Sequence, residues 1–477
     1  MSTKARAIAD LLDANNDVKA ANLDNVLTDL VADTTPQLGG DLDGNGSTVD
    51  LTSNTESLGL PKGTTAQRPS ASATEGHIRY NTDNDLIYYS DGTAWRKISS
   101  TTVNFTSLTG NIFSGAASTL SIAGSGFGVS LTVNFTQSSD SINTNVSVTP
   151  SSDTAATVTV PAAVYNNVTA GNVVNVTITN ADGNTASQTT TAAALPSGGT
   201  KTTFGSYTLH VFTSSGTFVN TAAVTSIDVM LVAGGGAGGM AATSNYGGGG
   251  GAGGLVYKTN HTVTSQSYSI SIGSGGSGQD GNDRGNNGGN TTGFSMTAIG
   301  GGGGGSQGGT TTGKDGGCGG GGGYISSGNS KGSATQTSQS GDSGTYGFGF
   351  DGATGTSAGT RPSGPNAGGG GGGAGAAGVA GTSSQPPNGG AGKDMSAIFG
   401  TSYGESGFFS GGGAGSNQAS YAEPVGGNGG GGNGDNYHQS ASVTAGTANT
   451  GGGGGAGTSQ VSGKAGGSGI CIIRYQL

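Results

Sequence analysis

The glycines of this chain constrain its fold more than any other feature. Of 477 residues 103 are glycine, and 86 of these lie beyond residue 199. They bunch in tracts at 234–236, 247–251, 300–305, 319–323, 368–373, 411–413, 429–432 and 451–455. Glycine loses more conformational freedom on folding than any other residue, so a single tract would be a linker. Collagen is excluded, because it needs glycine at every third position and abundant proline, and only 11 prolines are present. A coil is opposed by the aromatics set among the tracts, Tyr246, Phe294 and Tyr324 among them. It is also opposed by strand-like ends, with Tyr207, Leu209 and Val211 alternating on one side and Ile470–Tyr475 closing the other. A tract without side chains can run as polyproline II, with about three residues per turn, and exchange lateral N–H···O=C bonds with its neighbours. The entropic cost is high, so many tracts must assemble together. The expectation is a folded bundle that Gly302→Val should destabilise.

Charged residues make up 9% of the chain and the net charge is −10. That is not a basic footprint, so no nucleic-acid partner is expected. No apolar run reaches membrane-spanning length, so membrane insertion is not expected. The opening MSTKARAIADLLDANND lacks the apolar core of a secretion signal. Cys318 and Cys471 permit one disulfide or two free thiols, and synthesis in a cytosol favours the thiols. His77, His210, His261 and His438 lack ligand spacing, so no metal or cofactor is expected. Gly308–Lys314 satisfies G-x-x-x-x-G-K, but Asp315 stands where the magnesium-binding hydroxyl belongs. G-x-S-x-G around Ser330 and Ser357 is expected by chance in so Gly- and Ser-rich a chain, with no triad partner in view. Gly275–Asp283 approximates one calcium β-roll unit but has no tandem copies. Nothing points to an enzyme.

Four regions follow. Residues 1–34 carry helical stripes, Ile8, Leu11 and Leu12, then Leu23, Val26, Leu27, Leu30 and Val31, interrupted at Asn15–Asp17. Each piece is too short to be stable alone, so the segment is an oligomerisation element, a peg that docks into a larger assembly, or both. Residues 35–100 alternate turns and short strands. Asp41, Asp43, Asn45 and Gly46 match half a calcium loop, but Thr52 replaces its bidentate Glu, and turn chemistry is the default. Asp91-Gly92 signals a hairpin, and Trp95 reads as a core residue. Residues 101–195 alternate Val, Ile and Thr with polar residues between regularly spaced turns, the pattern of an antiparallel β-sandwich. Residues 196–477 form the glycine-rich region.

TPQLGGDLDGNG, followed by LPKGTTAQRPS, GHIRYNTD and YYSDGTAWRKI, resembles the shaft modules of phage tail fibres, especially those of marine and cyanobacterial phages. That resemblance implies a trimer. Ile122–Gly128, the VTVP ending at Pro161 and Val174–Ser187 resemble the immunoglobulin-like IPT/TIG fold, which implies a spacer. VTSIDVMLVAGGGAGG and GGSGICIIRY are similar to the ends of the glycine-rich domain of phage tail-fibre proteins. The region is also similar to the tip adhesins of T-even-like phages, in which loops between packed glycine helices touch the receptor. Cys471 stands where that pattern has a small aliphatic residue, so it reads as a buried apolar substitute.

The combined reading is a mainly β, elongated multidomain fibre: short N-terminal helices, β-rich shaft modules, an Ig-like β-sandwich, and a glycine-rich domain of polyproline II helices bracketed by strands. Its implied partners are two further copies in a homotrimer, other virion tail or baseplate proteins through the N-terminus, and a bacterial surface polysaccharide or outer-membrane protein. It would reside in the virion tail after synthesis in the host cytoplasm. The candidate receptor contacts are Tyr346, Phe348, Phe350, Arg361, Phe399, Tyr403, Phe408, Phe409, Tyr421, Tyr437 and His438, whose aromatic area and polar groups suit sugars or porin loops. For any one aromatic the alternative is packing within the domain. A structural fibre or capsid decoration without a receptor, or a bacterial adhesin, are the other readings.

Overall fold

A computed structural model describes residues 59–98, 102–221, 224–241, 246–281, 283–307, 310–324, 331–336, 347–356, 366–382, 384–418, 422–437, 443–458 and 461–477. The helical stripes expected within residues 1–34 and the Asp41–Thr52 loop lie outside these residues. Packing separates two units, Met1–Ser100 and Thr101–Leu477.

In the first unit, β1 (Lys62–Gly63), β2 (Ile78–Asn81), β3 (Leu86–Ser90) and β4 (Trp95–Lys97) form one sheet in that order, antiparallel except for β1. Two 3-10 turns, Thr65–Gln67 and Ala71–Ala73, lie across one face. They are fastened by polar bonds: Arg79 Nη1 donates to the Gln67 carbonyl (3.1 Å), Asn81 Nδ2 to Thr65 Oγ1 (2.9 Å) and Ser90 Oγ to the Ala71 carbonyl (2.9 Å). Trp95 shares this face. It is half-buried, donates from Nε1 to the Pro69 carbonyl (2.8 Å) and lies under the Arg79 guanidinium. It therefore packs beneath a cation and not in an apolar core, because its neighbours on that face are polar.

The second unit begins with seven antiparallel strands: β5 (Asn104–Thr109), β6 (Thr119–Ser125), β7 (Leu131–Gln137), β8 (Ile142–Val148), β9 (Ala155–Thr159), β10 (Val173–Asn180) and β11 (Thr185–Thr191). They make a three-stranded sheet, β5-β6-β9, and a four-stranded one, β11-β10-β7-β8. Alternation sends Leu131, Val133 and Phe135 of β7 and Val174, Val176 and Ile178 of β10 inward, where they meet Leu120, Ile122 and Val158 in one apolar core. This is the sandwich that the period-two pattern predicts.

The remaining strands are β12 (Thr200–Phe204), β13 (Tyr207–Phe212), β14 (Gly216–Val219), β15 (Ser226–Val232), β16 (Leu255–Thr262), β17 (Ser267–Ile270), β18 (Thr291–Gly293) and β19 (Met296–Ala298). After them come β20 (Gly347–Phe348), β21 (Lys393–Asp394), β22 (Phe408–Phe409) and β23 (Ile470–Tyr475). A six-stranded sheet runs β12-β13-β23-β15-β16-β20, so the last strand is inserted between the first strands of the domain. One face packs on Phe218, Ile270, Phe294 and Met296, the other on Met395, Phe399 and Phe409. Cys471 lies fully buried in β23, the apolar role its sequence position implied, and both cysteines are free thiols.

Between these strands the glycine tracts pack against one another, and their hydrogen bonds repeat every three residues. From the tract at 247–254, Gly248, Gly251 and Gly254 donate to the carbonyls of Gly305, Gly302 and Ile299 (2.9, 2.8 and 2.8 Å). Gly249 and Ala252 donate to Gly369 and Gly372, and Gly250 and Gly253 to Gly454 and Gly451. The same tract accepts from Gly236 and Gly239, from Cys318 and Gly321, and from Gly413 and Ser416. One segment thus bonds to six neighbours, donating to three and accepting from three. That arrangement supplies the backbone pairing that burial requires. A Cβ built on Gly248, Gly249 or Gly250 would lie 2.1 Å from a neighbouring carbonyl oxygen. The absence of side chains is what allows the approach.

Candidate functional site

The direction of each tract fixes where its ends fall. Val232 and Leu255 lead from β15 and into β16, and Gly469 leads into β23, so one end of the bundle abuts the sheet. The opposite end gathers residues far apart in sequence. Tyr246 bridges Thr458, Thr356 bridges Ala367, Ala367 bridges Asn417, and Asn417 bridges Asn436. The Tyr324 N–H donates to the Tyr246 carbonyl (2.9 Å), and the two tyrosine rings meet edge to face at 6.2 Å. We call this end the apex. The chain joins apex residues through 242–245, 325–330, 357–365, 419–421, 438–442 and 459–460, none of which is among the described residues.

The apex is built from amides, hydroxyls and tyrosines. Asn366 Nδ2 donates to Gln418 Oε1 (3.0 Å), and the Tyr437 N–H donates to the Asn417 carbonyl (3.1 Å). Tyr324, Asn366, Gln418 and Tyr437 are half-exposed. Beneath them Tyr246 and Asn417 are buried, and among the described residues the Tyr246 hydroxyl and both polar atoms of the Asn417 amide have no hydrogen-bond partner. Each such atom costs about 1–3 kcal/mol, and burial pushes the Tyr246 hydroxyl up to about 12. Asp435 is buried and accepts from Thr458 Oγ1. Burial holds its carboxyl above the ordinary range, against that hydrogen bond. Metal-ligating clusters are absent among the described residues, and no helix among them is long and apolar enough to cross a membrane.

The sequence-derived contact residues do not form one cluster. Phe399 and Phe409 are fully buried on the face of the six-stranded sheet, with Phe348 and Tyr403 packed against the same core. Phe399 meets Tyr257 edge to face at 5.8 Å, and Lys393 Nζ sits 4.6 Å from the Phe348 ring centroid. A buried ring cannot contact a receptor, so Phe399 and Phe409 are corrected to core residues. Their role has a physical cause: glycine tracts carry no side chains to cover a sheet, and the one-turn helix Ser396–Phe399 with β22 does so instead. Phe408 is half-exposed on β22, and Phe350 is exposed, away from the apex residues named above. Tyr437 alone among the described candidates lies at the apex. Tyr346, Arg361, Tyr421 and His438 lie outside the described residues. Sequence reasoning missed Tyr246, Tyr324, Asn366 and Asn417 as apex residues. Their signal was position, since each borders a tract on the side leading away from the strands.

A family model described as a glycine-rich domain matches residues 212–476, more than half the chain. A second, described as a phage tail like trimerisation region, matches residues 34–111. No curated protein matches the chain. The chain belongs to the glycine-rich domain family, and the two matches together fit a phage tail fibre-like protein.

Proposed function

We propose that this chain is a homotrimeric phage tail fibre whose glycine-rich domain presents its apex to the bacterial surface. The observation that carries the reading is the polarity of the bundle. Its base is closed by a six-stranded sheet, while Tyr324, Asn366, Gln418 and Tyr437 stand at the other end, where six connecting segments leave the tracts. A scaffold of hydrogen-bonded backbone beneath connecting loops is the arrangement in which loops carry recognition. Half-exposed amides and tyrosines suit the hydroxyls of a surface polysaccharide or the loops of an outer-membrane protein.

The three-residue hydrogen-bond repeat supports polyproline II for the tracts, since that helix turns once in about three residues. The seven-stranded sandwich serves as an IPT/TIG-like spacer. The N-terminal segment docks to other tail or baseplate proteins, and the shaft is of the marine and cyanobacterial fibre type.

The test is the double variant Tyr437→Ala/Gln418→Ala in purified full-length protein, scored by binding to host cells. Removing central polar and aromatic contacts should weaken binding by at least about tenfold, with unchanged thermal unfolding. Undiminished binding by the double variant would place the contact away from the apex, and no binding by the unaltered protein would leave a purely structural fibre or capsid decoration as the better reading.

A further inference from the structure

Among its described residues the first unit has an unpaired face. The register aligns Ile78 with Tyr89, Tyr80 with Ile87 and Tyr89 with Arg96, and the Ile98 N–H donates to the Ile87 carbonyl (2.7 Å). Directly paired residues share a face, so Ile78, Tyr80, Ile87, Tyr89 and Ile98 project together. The 3-10 turns cover the opposite face, that of Arg79, Asn81, Ser90 and Trp95. The apolar set stays open in a single chain, with Ile78 45%, Ile87 37%, Tyr89 41% and Ile98 47% exposed.

The unit is inverted relative to a globular domain. Its buried side chains are Thr74, Arg79, Asn81 and Ser90, and every buried apolar residue of the described chain lies at Val103 or beyond. The described residues of this unit therefore carry no apolar interior of their own, and association through the open face would supply apolar burial. The arrangement of charge fits this. The central strands β2 and β3 carry only Ile and Tyr on the open face, while Lys62 and Arg96 stand on the edge strands β1 and β4. Arg96 Nε is already paired with Asp91 at 2.7 Å. An apolar centre with a charged rim is the anatomy of a protein interface.

We propose that this face is the contact between copies: Ile78, Tyr80, Ile87, Tyr89 and Ile98 of one chain pack against the same residues of two others around a three-fold axis. The proposal rests on the homotrimer reading, which the match over residues 34–111 supports, and adds which face closes the trimer.

Single-cysteine labelling of the full chain tests it. Cys318 and Cys471 are fully buried and free, so they give little background with a maleimide. Ile87→Cys and Tyr89→Cys place a thiol on the open face, and Ala73→Cys places one in the turn that covers the other face. Light scattering should give three times the 45.5 kDa chain mass for wild type and Ala73→Cys. In trimers, Ile87→Cys and Tyr89→Cys should label about tenfold or more slowly than Ala73→Cys, because labelling must wait for local opening. Selective loss of the trimer in the Ile87→Cys or Tyr89→Cys variants would equally support the assignment. A monomeric wild type would overturn the homotrimer reading and this proposal together. A wild-type trimer whose face cysteines label as fast as Ala73→Cys would overturn the face assignment alone.

Discussion

Gly302→Val puts the packing of the glycine bundle to its most direct test. A Cβ at residue 302 would lie 2.0 Å from the Lys314 carbonyl oxygen, 2.8 Å from its carbon and 2.9 Å from the Gly320 nitrogen. All three are backbone atoms, which cannot rotate away as a side-chain tip can. Real Cβ atoms essentially never come within 3.0 Å of such atoms, so the two segments must separate by about 1 Å even before the valine methyls are placed. Gly302 donates to Cys318 at 2.9 Å, accepts from Gly251 at 2.8 Å, and is followed by Gly303, which accepts from Lys314 at 2.8 Å. Lengthening bonds of this kind by 1 Å takes them outside hydrogen-bond range. Three buried bonds lost at about 1–3 kcal/mol each sum to roughly 3–9 kcal/mol, a large part of the 5–15 kcal/mol that holds a typical domain.

At about 2–4 °C per kcal/mol for domains near this size, the glycine-rich domain should melt on the order of 10 °C lower. Calorimetry is the suitable assay, because the only tryptophan, Trp95, lies in the other unit and would not report. Gly216→Ala is the control. Its added carbon would meet only the Phe212 ring, at 3.4 Å, an ordinary contact, so its melting should stay close to wild type. If Gly302→Val melts and resists protease like Gly216→Ala, the tracts are not close-packed, and the bundle reasoning is wrong.

Two further outcomes follow from the six-stranded sheet. His210 is fully buried, with Nδ1–H donating to the Gly198 carbonyl (2.7 Å) and Nε2 accepting from the Tyr475 hydroxyl (3.0 Å). Burial holds its pKa below the ordinary 6.5. The unfolded chain therefore binds a proton near pH 6.5 that the folded one refuses, so stability falls as pH drops below 6.5 and levels off beneath the depressed value. Melting temperatures from pH 7.5 to 5 should show a shallower slope in His210→Gln than in wild type; equal slopes would refute the assignment. Arg474 Nη2 pairs with Asp228 at 2.5 Å, Nη1 donates to the Ile398 carbonyl (3.0 Å), and the guanidinium lies 4.2 Å from the Tyr207 ring centroid. Arg474→Ala should cost about 2–4 kcal/mol, less than a fully buried pair because both side chains keep 15% exposure, and calorimetry showing no loss would refute a role for the pair.

What the sequence made legible depends on which interactions set each region. In the sandwich the period-two pattern was sufficient, because each inward Val or Ile of β7 and β10 has its partner on the facing sheet. In the glycine region composition required assembly, but residues without side chains carry no pattern that pairs one tract with another. That Gly250 bonds to Gly454 while Gly251 bonds to Gly302 follows from closing the whole set at once. The same gap misplaced Phe399 and Phe409: an aromatic in a glycine-rich stretch reads alike whether it faces solvent or seals a sheet. Tract direction separates the two cases. Residues where a tract enters or leaves a strand, and the loop Met395–Phe409 at that end, serve the base. Residues at tract ends that adjoin no described strand, such as Tyr246, Tyr324 and Tyr437, serve the apex. Strands are legible as apolar alternation and tracts as glycine runs, so in other chains of this kind the apex can be located by asking which tract ends lack a strand.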